Sequence, residues 1–78
     1  MKAKVVGIQK LHFTNSNGEE INGTNVYCAF PDENVEGLRT EKFFLKEGIS
    51  LPENTKVNDF AEFSFNMKGK VEAVYKVN

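Results

Sequence analysis

A chain of 78 residues with 40% apolar and 27% charged side chains has the make-up of one soluble domain with a small core, and its seven phenylalanines exclude a disordered segment. Ten basic against eleven acidic groups give a formal charge of −1, which excludes a global electrostatic pull on nucleic acid, although Lys2, Lys4 and Lys10 near the start and Lys68, Lys70 and Lys76 near the end make both terminal stretches basic. The lone cysteine, Cys28, excludes an intrachain disulfide and fits a reducing, cytoplasmic setting, and no apolar run reads as an export signal or a membrane span.

Alternating apolar and polar residues, interrupted by turn clusters, predict five β-strands with little or no helix. The first covers about Lys2 to Phe13, with Ala3, Val5, Leu11 and Phe13 on one face and Lys4, Val6, Ile8, Lys10 and His12 on the other. Apolar residues fall on both faces near Val5 and Val6, so a bend or bulge is expected at Gly7. "TNSNGEEINGT" then supplies two Asn-Gly pairs, a strong hairpin signal.

The second strand, about Thr24 to Phe30, sets Val26, Cys28 and Phe30 against Asn25, Tyr27 and Ala29. After the polar connection "PDENVEG", the third runs from about Leu38 to Lys46. "EGISLPENTKVND" is too broken by Gly48 and Pro52 for a substantial helix, but Ile49 and Leu51 suit a plug for one end of a barrel. The fourth strand, about Phe60 to Asn66, presents Ala61, Phe63 and Phe65 on one face. "NMKG" turns the chain into the fifth, about Lys70 to Val77, with Val71, Ala73, Tyr75 and Val77 opposite Glu72, Val74 and Lys76. Val6, Ile8, Phe60 and Val74 lie on faces that so small a barrel cannot enclose, which points to a homodimer.

The third strand carries the functional question. In "TEKFFLK" two adjacent phenylalanines cannot both face one core, because side chains alternate along a strand. Phe43 shares its face with Leu45 and belongs inside; Phe44 shares its face with Thr40, Lys42 and Lys46 and is expected outside, between two cations. An exposed ring flanked by ammonium groups suits single-stranded nucleic acid, since a base stacks on the ring while the lysines meet its phosphates. Tyr27 on the neighbouring strand is expected beside Phe44, with Lys10 and His12 completing the row and Lys68 and Lys70 flanking the last hairpin turn. The plainer reading leaves Phe44 in a protein interface and the lysines as solvating charges.

Five strands, the phenylalanine-to-tyrosine first hairpin "FTNSNGEEINGTNVY", then "FFLKEG" and "FNMKGKVEAVY", resemble an OB-fold, and within that class the small single-stranded DNA-binding proteins of filamentous phages. The resemblance implies an all-β, five-stranded antiparallel Greek-key OB-like barrel over residues 1–78. It also implies a homodimer that coats single-stranded DNA in a phage or mobile element. Carried over by position, it makes Tyr27 and Phe44 the stacking aromatics and Lys10, Lys42, Lys46, Lys68 and Lys70 the backbone contacts. The slightly acidic charge and the presence of Arg39 as the middle segment's one arginine depart from that pattern.

Two functions follow: a sequence-tolerant single-stranded DNA-binding protein, with RNA as a related ligand, or an assembly module that uses the same aromatic face for another protein chain. An enzyme is not expected, because His12 is the sole histidine and no nucleophile has a recognisable base partner. No metal, cofactor, membrane or small-molecule substrate is expected either.

Overall fold

The structure, a computed structural model, describes residues 1–77. Strands β1 (Lys2–Thr14), β2 (Glu20–Pro31), β3 (Leu38–Lys46), β4 (Phe60–Phe65) and β5 (Val71–Lys76) form one antiparallel sheet in the order β3-β2-β1-β4-β5. The described residues contain no helix, and hence none long and apolar enough to cross a membrane. β3 and β5 are edge strands, with no ladder between them among the described residues, so the sheet is open.

The sheet nevertheless folds over on itself. Phe43 of β3 reaches across to β4, its ring centroid 5.1 Å from that of Phe63 and 5.5 Å from that of Phe65. Inside the fold Val5, Val26, Cys28, Leu45 and Phe63 are fully buried. Each large apolar side chain removed from water there contributes about 1.5–3 kcal/mol. Ile49 and Leu51, from the irregular connection between β3 and β4, pack against the same cluster. That connection is tied to β1 at Val5, whose N–H donates to the Asp59 carbonyl (2.8 Å) and whose carbonyl accepts from the Asn58 N–H (2.7 Å).

Two of the hairpins close with the same five-residue turn. In Asn15–Glu19 the Asn15 carboxamide oxygen accepts from the backbone N–H groups of Asn17 (2.9 Å) and Glu19 (3.0 Å), and Gly18 takes a φ of 80°. In Asn66–Lys70 the Asn66 carboxamide oxygen accepts from Lys68 (2.9 Å) and Lys70 (3.1 Å), and Gly69 takes a φ of 77°. The left-handed position is open to glycine without steric cost. Of the two Asn-Gly pairs in the first hairpin, only Asn17-Gly18 turns the chain; Asn22-Gly23 lies inside β2.

The strand phases depart from simple alternation at two bulges. Val6 has no partner on β2, because Val5 pairs with Cys28 and Gly7 with Tyr27. Directly opposed residues share a face, so beyond Val6 the pattern of β1 inverts. Ile8, opposite the buried Val26, joins the side of Ala3 and Val5, and Lys10 and His12 follow it. Gly7, Gln9, Leu11 and Phe13 turn to the outside. The expected grouping of Leu11 and Phe13 with Ala3 and Val5 is therefore corrected. In β5 the extra residue is Glu72, since Phe65 pairs with Val71 and Ser64 with Ala73. That bulge turns Val74 inward to 9% exposure and Tyr75 outward to 58%, reversing the faces expected for both.

Candidate functional site

The outer face of β1, β2 and β3 is built in cross-strand rows. Gly7, Tyr27 and Lys42 form one row, Gln9, Asn25 and Phe44 the next, and Leu11, Gly23 and Lys46 the third. Tyr27 and Phe44 are 39% and 44% exposed, so each keeps a large part of its side chain open to solvent.

Each ring lies over a glycine. A Cβ on Gly7 would come within 3.3 Å of the Tyr27 ring, and one on Gly23 would sit 2.5 Å from the Phe44 ring, closer than carbon atoms can approach. The absence of a side chain at Gly23 leaves the space that the Phe44 ring fills, whereas a Cβ at Gly7 would only crowd the Tyr27 ring. Lys42 and Lys46, both exposed, occupy the rows on either side of Phe44.

Between the rings lies a polar floor. Gln9 Oε1 accepts from the Tyr27 hydroxyl at 3.0 Å and from Asn25 Nδ2 at 3.3 Å. Asn25 is the single buried polar residue among the described residues, at 8% exposure. A buried polar group is more informative than an exposed apolar one, yet the sequence pattern offered no signal for Gln9 or Asn25. In the alternation Asn25 is merely polar beside Tyr27, and Gln9 falls on the face of Ala3 and Val5 until the Val6 bulge turns it outward.

Lys70 joins Lys42 and Phe44 at a cleft of about 260 Å³ between β3 and the last hairpin, floored by Phe43, Phe65 and Val71. Lys68 stands exposed on the turn beside it and does not line the cleft. Lys10 and His12 do not complete the aromatic row. The Val6 bulge puts them on the opposite face, lining a groove of about 660 Å³ under the connection after β3, where His12 Nδ1 meets Asn22 Oδ1. Lys46 also lines that groove and so stands at the border of the two faces.

Arg39 is engaged elsewhere, paired with Asp32 at 3.0 Å and Glu41 at 2.7 Å. The Asn34 backbone N–H and then Arg39 hold the Asp32 carboxyl below its ordinary range, while Asp32 and Glu41 raise the guanidinium. Burial pushes the Cys28 thiol up to about 11, which keeps it protonated and unreactive near neutrality. Among the described residues no group of three His, Cys, Asp or Glu side chains is placed to hold a metal ion.

The arrangement therefore offers two half-exposed aromatic rings, a hydrogen-bonded polar row beside them and cations at the β3 edge. No protein-family model, curated protein or solved structure matches the chain.

Proposed function

We propose that the protein binds single-stranded DNA, or RNA of the same extended form, by stacking bases on Tyr27 and Phe44 while Lys42, Lys46 and Lys70 meet the phosphates. The observation that carries this reading is the pair of half-exposed rings packed against Gly7 and Gly23 on one face. Ring stacking tolerates any base, because every base has a π-face. In this reading the open, folded-over sheet is the wall of a five-stranded Greek-key barrel of the OB type, held shut by Phe43 on Phe63 and Phe65. A homodimer belongs to the same proposal, supported by the exposure of Val6 (42%) and Phe60 (49%).

The test is a titration with fluorescent oligo-dT at two salt concentrations. Binding that weakens steeply with salt supports the proposal, since bound lysines release counterions from the phosphates. Absence of binding at low salt rejects it and passes the rings to the protein-assembly reading.

A further inference from the structure

The polar floor between the two rings is not needed for stacking, and its hydrogen-bond inventory is lopsided. Gln9 Oε1 receives two donors, from Tyr27 and Asn25. A carbonyl oxygen has two lone pairs, so this acceptor is filled. What Gln9 still offers is its amide N–H pair. Gln9 is exposed, whereas Asn25 beneath it is buried. The exposed end of the floor is thus a donor.

Its position is as specific as its chemistry. Tyr27 and Gly23, against which the Phe44 ring packs, are four residues apart on β2, which at about 3.3 Å per residue sets their backbone positions about 13 Å apart along the strand. Gln9 and Asn25 occupy the row between them. A base lying between two stacked neighbours would present its polar edge to this row.

We infer that Gln9 reads that base, donating its amide N–H to a carbonyl and favouring thymine over cytosine. Thymine and cytosine are alike in size and differ at position 4, where thymine carries an acceptor oxygen and cytosine an amino donor. An N–H donor from Gln9 bonds the first and opposes the second. Resting on the nucleic-acid reading above, the inference adds a graded base preference to it.

The experiment compares oligo-dT and oligo-dC of equal length, titrated against the wild type, Gln9→Ala and Gln9→Glu. Wild type should favour oligo-dT by about fivefold, less than the discrimination of a bidentate contact. Gln9→Ala should abolish that ratio, and Gln9→Glu, which presents only acceptors, should reverse it. Tyr27→Phe keeps the ring and the Gln9 amide, so its ratio should stay on the thymine side. Release of the Tyr27 ring in Gln9→Ala would weaken both ligands together, which is why the ratio is the readout. Equal binding of both oligonucleotides by wild type, or a thymine preference that survives in Gln9→Ala, overturns the inference while leaving the stacking proposal intact. Failure of wild type to bind either oligonucleotide removes both.

Discussion

Replacing Phe44 and Phe43 one at a time separates binding from folding within two consecutive residues. Phe44 is 44% exposed, makes no aromatic contact with the core and lies over Gly23. Phe44→Ala should therefore leave the core whole. It removes one stacking platform, worth roughly 1–3 kcal/mol per base, and since about 1.4 kcal/mol is tenfold, oligo-dT affinity should fall about tenfold or more. Phe43 is half-buried against Phe63 and Phe65. Phe43→Ala opens a void where the two flanks of the sheet meet, at about 3 kcal/mol, the lower end of the range for a buried ring. For a domain of this size that lowers Tm by roughly 15 °C. Fluorescence anisotropy with labelled oligo-dT and a thermal melt of each variant provide the two readouts. A Phe44→Ala protein that binds as tightly as wild type refutes the stacking role. A Phe43→Ala protein that melts at the wild-type temperature refutes the fold-over as a source of stability.

Lys42→Ala and Lys46→Ala should each flatten the salt dependence of oligo-dT binding by about 0.7 in the logarithmic slope, one phosphate apiece; an unchanged slope would take that lysine off the backbone path. Gly23→Ala places a methyl group 2.5 Å from where the Phe44 ring now lies and 2.7 Å from the Leu45 backbone carbonyl oxygen, so the ring must lift and the β2–β3 pairing must shift, and oligo-dT affinity should fall together with Tm; unaltered binding would show that the ring's seat on Gly23 is not required. Cys28 should resist a thiol-specific disulfide reagent at pH 8 in the folded protein and react fully in guanidinium chloride; fast native labelling would contradict its burial. Because its folded value of about 11 lies above the ordinary 9.0, the buried thiol should cost nothing below pH 9 and lower stability as pH rises from there toward 11, checked by urea melts across that window.

How much of this was readable beforehand depends on which residues are considered. The five strands were legible because each alternates and each is bounded by turn chemistry. The opposite fates of Phe43 and Phe44 follow from the same period of two. The placement of Lys10 and His12 was not legible. Gly7 signals an irregularity, but alternation alone does not reveal that Val6 drops out of the ladder, and one unpaired residue transfers every later side chain to the other face. Alternation misplaces Val74 and Tyr75 for the same reason at Glu72. The sequence around Gly23 reads as turn chemistry because Asn-Gly is so strong a local signal. Its actual use, as a bed for a ring on the next strand, is a tertiary fact that no window of neighbouring residues contains.

The repeated turn implies that the hairpin tips are modular. In both, the asparagine carboxamide and the glycine carry the closure, so the side chains at Ser16 and Asn17, and at Met67 and Lys68, have no part in the carboxamide clasp beyond their backbone. Met67 is fully exposed. "NSNGE" and "NMKGK" can therefore exchange places with strand register preserved, moving a neutral-to-acidic tip to one hairpin and a basic one to the other. The charge at each hairpin tip becomes an adjustable property, independent of the fold that carries it.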